Sequence, residues 1–130
     1  MTEPHKWLQF AREDVVLAEA ALERDIFNQT CFHAQQGVEK ALKGFLRGRQ
    51  RSVPKTHSLG ELLTLCIKLD VEFSQLTDSC LKLDRYYIPT RYPDALPGST
   101  ADGLPTKIDA QEALNHLHQA LRWIERKIDF

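Results

Sequence analysis

Apolar residues return every three or four positions along most of the chain, which is the spacing of one face of an α-helix. Five such series are present, over residues 7–26, 28–48, 58–67, 73–87 and 109–128. Ser58 and Glu61 form the S-x-x-E pattern of a capping box, which predicts the start of the third helix. Asp109 and Glu112 indicate the start of the last helix.

The same pattern contains no stretch that alternates apolar and polar residues between hairpin turns, so no sheet is predicted. Short connections join the first four helices and favour antiparallel neighbours. The sequence therefore predicts an all-α fold, an up-and-down bundle of four or five helices that forms a single domain over residues 1–130. Proline and glycine accumulate from Pro89 to Pro105, and a long loop of this kind is a common place for function.

Two glycines interrupt the apolar face of the second helix. Gly37 and Gly44 lie seven residues apart, and each costs about 1 kcal/mol of helix stability relative to alanine. We expect close packing of a neighbouring helix to compensate for this cost.

Composition narrows the class of protein. Seventeen basic against 18 acidic residues give a net charge of −1, so overall charge does not favour nucleic acid or a membrane, and any basic site must be local. Cys31, Cys66 and Cys80 fall at apolar helical positions without a C-x-x-C pair, which predicts buried free thiols. The polar N-terminal residues and the absence of a long apolar run predict a cytoplasmic protein with no membrane segment.

Basic residues form a run without any acid between Glu39 and Glu61. The six cations are Lys40, Lys43, Arg47, Arg49, Arg51 and Lys55. One interpretation is that they complement the carbonyl end of the second helix and lie in a solvated loop. The other is a patch that faces phosphate.

All the tyrosines of the chain lie close together with two arginines. The cluster contains Arg85, Tyr86, Tyr87, Arg91 and Tyr92. Arginine binds phosphate through two parallel hydrogen bonds, and a tyrosine ring can stack on a base. In the structural alternative, Tyr87 belongs to the core, Tyr86 covers a subunit contact, and Arg91 pairs with Asp94 to hold the loop.

The histidines predict no metal centre. His116 and His118 are two residues apart on a helix and point in different directions. His33 lies beside the apolar face of the second helix, where a packing or subunit contact is expected. His57 immediately precedes the third helix, where it can have a structural role or reach the loop. No nucleophile motif or phosphate-binding glycine motif is present, so we predict no catalytic residues and no cofactor.

Three segments resemble the HEPN family. Residues 33–43, HAQQGVEKALK, resemble the A-x-Q-x-x-E-K-x-L-K run of its second helix. Residues 55–59, KTHSL, resemble the H-x-L segment that opens its third helix, and residues 91–94, RYPD, resemble an element of one branch of the family. The resemblance implies a helical bundle that dimerises through a helical face. It also implies a separate minimal nucleotidyltransferase chain as a partner, as in two-component toxin–antitoxin pairs.

Many HEPN members are metal-independent ribonucleases with an arginine, four to six further residues and then a histidine. In this chain Leu96, Pro97 and Gly98 stand at those distances from Arg91, and no histidine follows before His116. The nuclease motif is absent, so the resemblance does not imply nuclease activity.

We therefore expect a homodimeric binding protein for a nucleotide or an RNA phosphate, acting with a nucleotidyltransferase partner. The expected ligand-binding residues are Arg91, Tyr92, Arg85, Lys55 and His57. Two alternatives stay open. One is a divergent metal-independent ribonuclease that uses Arg91 with His57, and the other is a purely structural dimerisation or interaction module.

Overall fold

The computed structural model describes residues 2–87 and 103–129 of the chain. Its elements are α1 (Glu3–Glu23), α2 (Phe27–Gly48), α3 (Leu59–Leu69), a 3₁₀ helix (Val71–Leu76), α4 (Thr77–Asp84) and α5 (Lys107–Ile128). No β-strand forms within these two ranges, and the prediction of an all-α bundle is confirmed. None of the described helices is both long enough and apolar enough to cross a membrane.

Helix α2 lies at the centre of the bundle. It packs most extensively against α1 and α5 and also contacts α3 and α4. Near its end, the Phe45 ring lies 4.2 Å from that of Phe73, which in turn meets Trp123 edge-on. The three cysteines are fully buried and unpaired, as predicted, and burial raises the pKa of each thiol to about 12.

The two glycines of α2 face close neighbours, which confirms the predicted close approach. A Cβ atom on Gly37 would lie 2.6 Å from Cδ1 of Leu117 on α5. A Cβ atom on Gly44 would lie 2.9 Å from Cβ of Trp7 and 3.2 Å from the carbonyl oxygen of Pro4, both on α1. Glycine thus allows α2 to approach each of its two long neighbours closely, most strictly at Gly44, where the contacts include backbone.

The first helix ends earlier than its apolar pattern predicts. Asp25 adopts a left-handed conformation with φ of 58°, and the amide of Ile26 donates to the carbonyl of Ala21 at 2.8 Å. This Schellman arrangement satisfies the helix end, so the prediction that Ile26 continues the helix is wrong. Helix α2 ends in the same way, because Gln50 has φ of 58° and the Arg51 amide donates to the Leu46 carbonyl at 2.9 Å.

Helix α3 begins as predicted, with Ser58 Oγ accepting from the Glu61 amide at 3.1 Å. The fourth predicted helix is in fact two elements, because the Asp70 side chain accepts from the amide of Glu72 and starts a 3₁₀ turn ahead of α4.

The last helix begins two residues before Asp109. Thr106 and Asp109 there form a capping box with hydrogen bonds of 3.2 and 2.9 Å.

The two ends of the described chain meet. On α1, His5 Nε2 lies 2.9 Å from Oδ1 of Asp129, which directly follows α5. The end of α2 joins them, since Arg47 forms a two-pronged ion pair with Glu3 at 3.0 and 2.9 Å. One end of the bundle therefore gathers the start of α1 and the ends of α2 and α5.

Candidate functional site

A buried carboxylate on α2 organises the most polar part of the structure. Only 3% of Glu39 is exposed. Its oxygens accept from Lys43 Nζ at 3.0 Å, from Gln36 Nε2 at 3.3 Å and from His57 Nδ1 at 3.2 Å. An ionised carboxylate can only accept, so Nδ1 of His57 carries the hydrogen in this contact, and Nε2 is the ring nitrogen left for another partner.

Two further contacts fix the position of His57. Gln35 Nε2 donates to the His57 carbonyl at 2.7 Å, and the imidazole stacks on the ring of Tyr87 with centroids 4.7 Å apart. About half of the His57 side chain stays exposed. The result is an oriented imidazole at the surface, placed beside Tyr87, the last residue of the first described range.

Sequence reasoning missed Gln35 and Glu39 as partners of His57, and Lys43 as a partner of Glu39. All three stand inside the A-x-Q-x-x-E-K-x-L-K run that carried the resemblance, but Gln35 occupies one of its unspecified positions and the run does not indicate the contact with His57. The run therefore supplies the apolar face of α2 and also the polar side chains that hold His57, just before α3.

The amino end of α3 is already occupied by an acid. Asp84, the last residue of α4, accepts from the amides of Leu59 and Gly60 at 2.8 and 3.0 Å. Free amides at a helix start bind phosphate well, but here a carboxylate uses them. These two amides are therefore not free to bind a phosphate near His57.

Arg85 and Tyr86 form a unit at the end of α4. The Arg85 guanidinium donates to the Tyr86 hydroxyl at 2.9 Å and to the Lys82 carbonyl at 3.1 Å. Tyr86 is only 2% exposed within its own chain, whereas Tyr87 is half-buried. The interpretation that Tyr87 is core and Tyr86 covers a subunit contact is wrong, because α4 ends at Asp84 and the chain turns before both rings.

The basic run divides into paired and unpaired cations. On α2, Lys40 pairs with Asp14, Lys43 with Glu39 and Arg47 with Glu3. The Arg49 guanidinium lies over the Phe45 ring. Arg51 and Lys55, in the loop after α2, have no acidic partner among the residues described here. The helical cations are therefore structural, and uncompensated positive charge begins in the loop.

The remaining candidates are placed as follows. Arg91 and Tyr92, together with Asp94, lie outside the described residues. His33 packs against α1 through Asp14 at 2.8 Å. His116 bonds Ser79 Oγ at 2.8 Å, while His118 turns toward Glu19. Across residues 2–87 and 103–129, no three acidic, histidine or cysteine side chains are arranged to hold a metal ion.

Similarity to known proteins covers nearly the whole chain, because the HEPN domain model matches residues 4–127. The chain belongs to the HEPN family. Its HEPN fold is shared by two solved structures, each covering 98% of this chain and 99% of the other. TT1696 from Thermus thermophilus is 36% identical with a TM-score of 0.80, and ST0689, an archaeal HEPN homologue, is 29% identical with a TM-score of 0.76. No curated protein sequence matches this HEPN chain.

Proposed function

We propose that this HEPN chain is a binding protein for the phosphate of a nucleotide or an RNA. Its ligand would bind at the His57 surface, a name we give to His57 and the Tyr87 ring stacked on it, together with Lys55 and Arg85, which each lie two residues earlier in the chain than one of these two. The supporting observation is the way His57 is held: Glu39 binds Nδ1 and Tyr87 covers one face, so Nε2 is presented at the surface in a fixed orientation.

Charge supports phosphate as the ligand group. Neither Lys55 nor Arg85 has an acidic partner within the described part of the chain, although three cations of α2 do. Lysine and arginine contacts to phosphate are independent of base sequence and sensitive to salt. One face of the Tyr87 ring is already stacked on His57, so we assign base recognition to Tyr92, with Arg91 as a further phosphate ligand.

The assembly proposed for this protein is a homodimer that acts with a minimal nucleotidyltransferase chain, in a two-component system of toxin–antitoxin type, in the cytoplasm. Family membership supports this assembly. Exposed apolar side chains on α1 support a subunit contact, because Phe10 and Leu17 lie two turns apart on one face and are each about half exposed.

Binding can be tested by fluorescence anisotropy with a short fluorescein-labelled single-stranded RNA, and with ATP as competitor. We expect affinity to fall between about 50 and 200 mM salt, and Lys55→Ala to reduce the slope of the salt dependence by about 1. Arg91→Ala should abolish binding. The control is Arg122→Ala, which removes an exposed arginine from α5 and should leave the affinity unchanged. Absence of binding at low salt would leave only the structural interaction module.

A second candidate function is a divergent ribonuclease, and the Glu39–His57 pair is the observation that favours it. A carboxylate that fixes one imidazole nitrogen leaves the other as an acid or base toward a ribose hydroxyl, and Arg91 would supply the cation for phosphate. The test is RNA cleavage in EDTA. Robust cleavage that His57→Ala abolishes would replace the binding proposal with the enzyme.

A further inference from the structure

An apolar groove lies on the side of α3 that faces the loop after α2. Its floor is formed by Leu46 of α2 with Leu65 and Leu69 of α3, and Pro54 forms one wall. Its volume is about 460 Å³, within the range of sites that hold small organic ligands. Leu46 is 1% exposed, whereas Leu65 and Leu69 are half-buried, so the groove opens from the core to the surface.

The remaining lining residues are polar, and two of them are cations. Arg51 and Lys68 line the groove from opposite segments of chain, with Ser52 between the arginine and Pro54. None of the described residues that line the groove is acidic, and neither cation forms an ion pair with a described residue. An apolar floor with two uncompensated positive charges at its edge complements a molecule that has an apolar body and one anionic group.

The arginine is attached to a rigid support. Its amide donates to the Leu46 carbonyl at 2.9 Å, and its carbonyl accepts from Arg47 Nη1 at 3.4 Å. The left-handed Gln50 directs the chain back over the end of α2, so the backbone of Arg51 is fixed beside the groove floor. Because the backbone is already fixed, binding a ligand costs less conformational entropy.

We propose that this groove is a binding site for a small amphipathic anion, with an apolar tail along the leucines and a carboxylate or phosphate between Arg51 and Lys68. The site is distinct from the His57 surface, because none of the residues that line the groove belongs to that surface.

The experiment is a titration of the protein with decanoate, decyl phosphate and decanol, followed through the backbone amide signals of Leu65 and Leu69 in ¹H–¹⁵N NMR. Both anions should shift these signals and bind more tightly than decanol, and the tighter anion identifies the preferred head group. Arg51→Ala and Lys68→Ala should each weaken anion binding about threefold or more, as expected for a partly exposed ion pair. Ser52→Glu, an exposed substitution, should weaken the anions and leave decanol unaffected.

Arg122→Ala is the matched control and should bind decanoate as the wild type does. Lys55→Ala should also bind decanoate normally while losing RNA affinity, so failure of this site and failure of the His57 surface are distinguishable. The proposal is overturned if decanol binds as tightly as the anions, if neither cation variant changes affinity, or if the Leu65 and Leu69 signals do not move.

Discussion

The Glu39 carboxylate binds Nδ1 of His57 at 3.2 Å across 18 residues of sequence, and the same carboxylate holds Lys43. The side chains of Glu39 and Lys43 are only 5% and 10% exposed. Removing one partner of such a pair leaves an uncompensated buried charge, which costs far more than the pair itself contributes.

Glu39→Gln should therefore lower the free energy of unfolding by about 3–5 kcal/mol, measured by urea denaturation. Adding Lys43→Met should restore most of the loss, because both buried charges are then gone. The control is Glu3→Gln, which breaks an ion pair whose side chains are 53% and 37% exposed and should cost less than about 1 kcal/mol. Equal effects from Glu39→Gln and Glu3→Gln would contradict the interpretation of Glu39 and Lys43 as a buried ion pair.

The glycines of α2 predict a graded response to alanine. Gly44→Ala should destabilise on the order of 1–3 kcal/mol, because its new methyl group meets the Trp7 Cβ and the Pro4 backbone. Gly37→Ala should cost less, since its nearest contact is the movable end of the Leu117 side chain. Gly60→Ala is the control: its nearest contacts are at 3.6 and 3.7 Å, so helix propensity should stabilise by up to about 1 kcal/mol. Thermal unfolding measures all three, and a higher melting temperature for Gly44→Ala would contradict the packing.

The left-handed residue after α2 predicts a stabilising change. Gln50 has φ of 58°, a conformation that costs a residue with a side chain about 1–2 kcal/mol and costs glycine little. Gln50→Gly relieves this strain but also makes the unfolded chain more flexible, which offsets part of the gain. The net effect should be an increase of about 1 kcal/mol in the free energy of unfolding. Gln50→Ala, which keeps the strain, serves as the control in the same chemical denaturation series. No gain for glycine over alanine would show that this turn is unstrained.

Burial of His116 predicts a dependence of stability on pH. Burial lowers its pKa below the ordinary 6.5, and the charge of Lys82 lowers it further. The folded protein therefore takes up this proton less readily than the unfolded chain, so stability present above pH 6.5 is lost as the pH falls below it. His116→Gln removes the effect and can still bond Ser79, so its stability relative to wild type should increase between about pH 7.5 and pH 5.5. A difference that stays constant or decreases would refute this assignment.

Helix content was predictable from the sequence because each helix buries one apolar face, and that face repeats with the helical period. The ends of α2 and α5 and the start of α3 were also predicted, but the end of α1 and the hydrogen bonds that terminate α1 and α2 were not. Asp25 and Gln50 adopt left-handed conformations that usually indicate glycine, and the one nearby glycine, Gly48, lies inside α2. The 3₁₀ turn ahead of α4 depends on the Asp70 side chain and interrupts an otherwise regular apolar spacing.

The candidate site was predicted only in part. His57 was identified from its position before α3, but its orientation comes from Glu39 and Gln35, which lie on another helix and carry no local signal of that contact. The basic run was ambiguous for the same reason. Three of its cations form ion pairs with Asp14, Glu39 and Glu3, and only the folded structure brings these acids beside them. The sequence alone therefore does not distinguish the paired cations from the unpaired ones.

The meeting of His5 with Asp129 has a consequence for rearranging the chain. Segments fused ahead of residue 2 and behind residue 129 would leave the bundle as neighbours, so a short linker could join them. New ends could then be opened at the Asp25 turn, about 30 Å away at the far end of α1, judged from its 21 residues. Such a circularly permuted protein would keep every helix and every buried ion pair while moving its free ends to the opposite pole.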